Sequence, residues 1–301
     1  MKFGEGSAFF RKSLSPTERT LRAVFDRCPS TLFLETAQEL FFRTKPAGPP
    51  FDPVHYANAL GIKVLEKEDL GLDGVLRYDA KRDEFQIELK SDVSASRKKF
   101  TLAHEVAHTF FYRDLEEFGE RFRGKLDYDN KEEALCNLAA AELLMPSSVF
   151  RSDLARFSEA GNVVAPRTIM SLRDQYQVSL QAACIKVARM RKNLVFVLWR
   201  NGEGTSVRAD WIVPSYFKPL ILCHTRRSSV ERAMDSPGAT ITSVDCFSIS
   251  SERRVRETWS LGLKRGVVLS VLQPSFRRRK KHNFAKEESQ KNQKGQLTFA
   301  W

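Results

Sequence analysis

The stretch His104-Glu105-Val106-Ala107-His108 constrains this chain more than any other. Residues four apart share one face of an α-helix, so both imidazoles point the same way and Glu105 stands beside whatever they hold. Two histidines at that spacing around a glutamate form the H-E-x-x-H pattern, in which the histidines ligate a divalent metal and the glutamate acts on a water. The flanks read as helix. Leu102, Val106 and Phe110 make an apolar stripe with a four-residue step, and neither Gly nor Pro interrupts the chain from there to Gly119.

A hydrolytic metal site commonly takes three protein ligands and leaves one position open, so a third ligand is expected on a second element. After a charged connection the chain reads Lys131-Glu132-Glu133-Ala134-Leu135-Cys136-Asn137-Leu138-Ala139-Ala140-Ala141-Glu142-Leu143-Leu144-Met145-Pro146, a helix that stops at or before the proline. Its alanines allow close approach to the first helix. Glu132, Glu133 and Glu142 are the carboxylates available there, with Asp127 and Asp129 in the connection as further alternatives. Glu133 is preferred because Asn137 follows one turn later, where an amide oxygen can accept the free N–H of a ligating imidazole.

The combination Arg97-x-x-Phe100-Thr101-Leu102-Ala103-His104-Glu105-x-x-His108, Glu133-x-x-x-Asn137 and Ala141-Glu142-Leu143-Leu144-Met145-Pro146 resembles the ImmA/IrrE metallopeptidases, within them most closely the radiation-response IrrE regulators. The resemblance implies His104, His108 and Glu133 as metal ligands and Glu105 as catalytic base. It also implies a helix-turn-helix repressor as the protein substrate, cut to release genes after DNA damage or radiation stress.

The fold expected is α+β, with a zincin-like, gluzincin-type metallopeptidase domain over residues 1–155. A helix-turn-helix-like unit follows over 156–192, built on helices at Thr168 to Gln175 and Ser179 to Arg189. If Gln177, Gln181, Lys186 and Arg189 of that unit face a DNA groove, the chain binds DNA directly; if they line the metal cleft, the unit is a wall of the protease groove, and this structural role is the one preferred. Residues 193–276 mix buried strands with one short helix; by the family resemblance they form a GAF-like sensor domain that takes a small-molecule or other signal input. Residues 277–301 read as a basic, flexible tail opening on Arg277-Arg278-Arg279-Lys280-Lys281.

Within the first domain, short strands are expected at Ile62 to Glu66, Gly74 to Tyr78 and Phe85 to Leu89. The last, directly before the active-site helix, is either the edge strand along which an extended peptide lies or a half-buried strand packed on the helix, two readings its alternation does not separate; the first makes Phe85 and Ile87 candidate substrate-binding residues. Arg173 and Tyr176 are further candidates, for stabilising an oxyanion.

Composition sets the remaining bounds. The 301 residues are 42% hydrophobic and 29% charged, ordinary values for a globular protein, and no apolar run of 18 residues occurs, so no membrane partner is expected. The first residues lack a signal peptide's apolar region, and five scattered cysteines without a C-x-x-C pair read as reduced thiols, so a cytoplasmic location is expected. The net charge of +12 keeps open a DNA-binding or signal-sensing transcription regulator with a structural or vestigial metal site. The leading expectation is a metal-dependent, site-specific endopeptidase carrying one divalent ion, zinc or alternatively manganese.

Overall fold

The computed structural model describes residues 29–79, 82, 84–111, 130–160, 162–202, 207–213, 229–243, 248–250 and 253–276. The expectations for the connection holding Asp127 and Asp129, and for the tail 277–301, lie outside the described residues. The chain divides into two compact units: Met1–Asp153 with Arg173–Ser179, and Leu154–Leu172 with Leu180–Trp301.

The first unit opens with α1 (Pro29–Thr44), whose Phe33, Ala37, Leu40 and Phe41 are all buried. Their steps of four, three and one place them on one stripe, which faces the core. Helix α2 (Pro53–Ala59) begins with Asp52 accepting the Val54 N–H at 3.0 Å and ends before Gly61, whose φ of 70° favours glycine. Strands β1 (Lys63–Lys67), β2 (Gly74–Asp79) and β3 (Glu84–Lys90) follow, then α3 (Ala95–His108) with a 3-10 turn at Thr109–Phe111, and α4 (Asn130–Leu144).

The three-stranded sheet has the order β1-β3-β2, with β3 parallel to β1 and antiparallel to β2. This corrects one expectation. The strand holding Phe85 and Ile87 is the middle strand, paired on both sides, and has no free edge for a peptide. Ile87 is fully buried and Phe85 packs on Tyr78 with ring centroids 5.3 Å apart.

Glu88 ties the three strands together. Lys67 of β1 reaches it at 2.7 Å, Arg77 of β2 at 2.9 Å, and Gln86 donates at 3.1 Å. The Lys67 hydrogen bond leads in holding its carboxyl below the usual range. A lowered folded value means the stabilisation is present above the unfolded value near 4.3 and is lost as pH falls through the folded one. Glu88→Gln is therefore expected to cost about 0.5–1 kcal/mol at neutral pH, a small figure because both cations are half exposed. The gap between the urea midpoints of wild type and variant should close as pH falls toward 3; a gap that stays constant with pH would assign the effect to packing.

At the end of α4, Glu142 is buried and accepts the Ser147 N–H at 2.8 Å and the Ser147 hydroxyl at 2.7 Å, with Gln38 of α1 at 3.2 Å. The Tyr56 hydroxyl donates to the Leu143 carbonyl at 3.0 Å. The Ala-Glu-Leu-Leu-Met-Pro run is thus a corner that starts α5 (Ser147–Phe157) and fixes α4 against α1 and α2. Helix α6 (Pro166–Tyr176) comes next, and α5 and α6 each contribute to both units.

The second unit contains α7 (Leu180–Met190), β4 (Val195–Asn201), β5 (Val207–Val213), α8 (Ser229–Asp235), β6 (Thr240–Ser243), β7 (Ser248–Ser250), β8 (Arg253–Lys264) and β9 (Val267–Phe276). Its sheet is antiparallel, with the order β5-β4-β9-β8-β6 and β7 paired to β8. Alternate residues Val195, Val197 and Trp199 join Val268 and Leu272 under Val230, Ala233 and Met234 of α8. Trp199 and Trp259 are core residues, and the Trp199 indole donates to Ser270 at 2.9 Å.

Candidate metal centre

Helix α3 presents His104 and His108 one turn apart, with Glu105 turned to the side. Helix α4 packs along it; Ala103, Ala107, Ala139 and Ala140 are all completely buried, and side chains this small allow the two backbones to come close. That approach carries Glu133 to both imidazoles. His104 Nε2 lies 3.0 Å from Glu133 Oε2, His108 Nε2 lies 3.5 Å from Glu133 Oε1, and the two Nε2 atoms are 3.1 Å apart.

These three side chains are the cluster among the described residues whose donor atoms could hold one metal ion. Zinc bound tetrahedrally by nitrogen and oxygen at 2.0–2.1 Å sets its ligands about 3.3–3.4 Å apart, so both the spacing and the donor chemistry fit a divalent ion. Burial, with His104 nearby, pushes the His108 imidazole down to about 3. It is therefore neutral at neutral pH, the form that ligates. The His104 hydrogen bond leads in holding the Glu133 carboxyl below its usual range, so that group is ionised.

The outward nitrogens are also met. His104 Nδ1 lies 3.0 Å from Asn137 Oδ1, and His108 Nδ1 lies 3.3 Å from Cys136 Sγ. Burial pushes the Cys136 thiol well up, so it is neutral. Glu133, Cys136 and Asn137 stand at i, i+3 and i+4 on one face of α4. That helical spacing was the signal in the sequence that could have brought in Cys136 with Asn137.

Glu105 is buried beside the cluster, and the Leu76 N–H of β2 hydrogen-bonds its carboxylate. Burial raises this carboxyl to about 7, while His104 and the Leu76 N–H act in the opposite direction. Strand β2 reaches α3 this closely because Gly74 has no side chain: a Cβ there would lie 2.4 Å from Thr101 Cγ2. Arg97 of α3 anchors the entry to β2 through Asp73 at 2.6 Å. Since the Leu76 N–H turns to Glu105, alternation along the strand puts the main-chain groups of Gly74, Leu76 and Tyr78 on the edge away from β3. The strand edge beside Glu105 therefore belongs to β2.

The structure does not bring the remaining candidates to this cluster. Tyr176 is buried and its hydroxyl donates to Asp153 at 2.7 Å, with its ring against Phe51 and Phe150. Arg173 pairs with Asp174 and lines a cleft with Ala95, Ser96 and Lys99, whose residue Ser96 is about 12 Å along α3 from His104. The contacts described engage Tyr176 with Asp153 and Arg173 with Asp174 rather than with the imidazoles. Of the four residues that a DNA-binding reading would turn to a groove, Lys186 is buried and Gln177 accepts from Lys99.

Residues 57–188 match the family model of the IrrE N-terminal-like domain, Peptidase_M78. The segment belongs to the ImmA/IrrE family. Two curated relatives are similar to it: the radiation response metalloprotease IrrE of Deinococcus deserti, 35% identical over 80 residues, and that of Deinococcus radiodurans, 35% identical over 98 residues. The matches cover 26% and 32% of this chain and 28% of each relative's length. Among solved structures, a Mycobacterium tuberculosis transcriptional regulator aligns with 87% of this chain and 81% of its own at 13% identity, with a TM-score of 0.46. No helix among the described residues is long and apolar enough to cross a membrane.

Proposed function

We propose that this chain is a metal-dependent endopeptidase acting on a protein substrate. The observation that carries the reading is the convergence of His104, His108 and Glu133 within 4.8 Å of one another, with Glu105 beside them. The three would hold one divalent ion, zinc or alternatively manganese. Bound there, such an ion supplies Lewis acidity, making water a nucleophile at neutral pH and polarising a carbonyl.

The remaining chemistry belongs to the chain. Glu105, ionised, takes the proton of the attacking water and passes it to the departing amine. The Leu76 N–H holds the carboxylate in place, and the outer edge of β2 offers main-chain groups to an extended peptide. Asn137 keeps the His104 proton on Nδ1, leaving Nε2 free to ligate.

The names of the Deinococcus relatives support a place in a radiation response. The substrate would then be a helix-turn-helix repressor in the cytoplasm, and the antiparallel sheet of the second unit would serve as a GAF-like signal input. The test is proteolysis in a lysate of the source organism, with new peptide termini sequenced after loading the purified chain with zinc or manganese. One or a few cuts that vanish on chelation and return with the ion are expected. A chain that binds the ion stoichiometrically yet produces no cut would count against the peptidase and favour the regulator reading.

A further inference from the structure

We infer that Cys136 is the positioning residue for His108, the counterpart of Asn137 for His104, and that it makes His108 the weaker of the two histidine ligands. The inference rests on the reading of His104, His108 and Glu133 as a metal site.

To give its Nε2 lone pair to an ion, an imidazole must carry its proton on Nδ1, and that N–H then needs an acceptor. For His104 the acceptor is the Asn137 amide oxygen at 3.0 Å, a strong one. For His108 it is the Cys136 sulfur at 3.3 Å, within the longer reach of a sulfur contact. A thiol sulfur accepts weakly. Water is poorly placed to do better, since Cys136 is fully buried and His108 is 3% exposed. Removing the sulfur therefore takes this acceptor from a buried N–H and loosens the hold on the ring's orientation. The two nitrogens that ligate face Glu133 on the inner side, while the two that are held face Asn137 and Cys136 on the outer side. One face of α4 therefore supplies a ligand and both supports.

The test compares metal affinity rather than turnover, using wild type, Cys136→Ser, Cys136→Ala and Asn137→Ala. Zinc affinity is read by chelator competition, and the visible spectrum is recorded after cobalt loading. Cys136→Ala is expected to weaken zinc roughly 10-fold and Asn137→Ala more, toward 100-fold, with a changed cobalt band in each. Cys136→Ser, which restores an acceptor in nearly the same volume, should stay within about threefold of wild type. The cobalt-loaded wild type should also show two solvent-exchangeable imidazole N–H resonances, one of which moves in Cys136→Ser; this keeps the inference open to refutation if the alanine variant does not fold. Folded Cys136 variants that match wild type in affinity, cobalt spectrum and both resonances overturn it. A wild-type chain that takes up no zinc or cobalt overturns the metal site itself, and the inference with it.

Discussion

Replacing Glu105 by glutamine is expected to leave the metal content unchanged and to cut turnover by about 10²–10⁴-fold. Glutamine keeps the shape of the side chain and can still accept the Leu76 N–H, so β2 stays in place, but its amide cannot take a proton from water. His104→Ala should behave differently, because it removes a ligand: ion and turnover are lost together. Elemental analysis of each purified variant, paired with the lysate cleavage assay, separates the two. The pH profile carries the sign. Glu105 must be ionised to act, and burial sets its carboxyl near 7 before an ion is present. A bound cation can only lower that value, so the acid limb of the profile should lie below pH 7. Cleavage by Glu105→Gln within threefold of wild type would remove Glu105 from the mechanism.

What the sequence made legible follows from how local each signal is. The spacing of His104 and His108 and the apolar step from Leu102 to Phe110 are local properties, and α3 runs Ala95–His108 with the 3-10 turn Thr109–Phe111 carrying Phe110 on from its end. Glu133 and Asn137 could be paired because i and i+4 share a face. Strand pairing is not local. The alternation of Phe85, Ile87 and Leu89 marks a strand but not its neighbours, so it could not show that β1 and β2 would pair with it on both sides and leave the edge to β2. Pro146 was legible as the end of α4, whereas the start of α5 depends on Glu142 reaching Ser147. Strand β8 begins Arg253-Arg254-Val255-Arg256, a charged run without an apolar alternation, and owes its order to pairing with β9 over most of its length. Tyr176 fell away for a different reason. A tyrosine hydroxyl is chemically suited to an oxyanion, but a buried hydroxyl takes a strong acceptor at hand, here Asp153.

Gly74 should prove the most sensitive position outside the cluster itself. A Cβ there would meet Thr101 Cγ2 at 2.4 Å, Leu89 Cδ2 at 3.2 Å and Glu105 Cγ at 3.4 Å. Thr101 is buried on a rigid helix and cannot swing away, so the strand must move instead. Gly74→Ala is expected to destabilise the fold by about 1–3 kcal/mol, the usual cost of overpacking. It should also lower turnover, because Leu76 lies two residues further along the displaced strand. The cause can be isolated by removing the atom that clashes. Thr101→Ser deletes Cγ2 and keeps the hydroxyl, so the double variant should regain much of the stability and turnover that Gly74→Ala loses. The cycle of four proteins should then give a coupling of about 1–2 kcal/mol in urea unfolding. Additive effects would mean that contact with Thr101 is not what makes Gly74 necessary, and an alanine variant as stable as wild type would mean that β2 does not need to lie this close to α3.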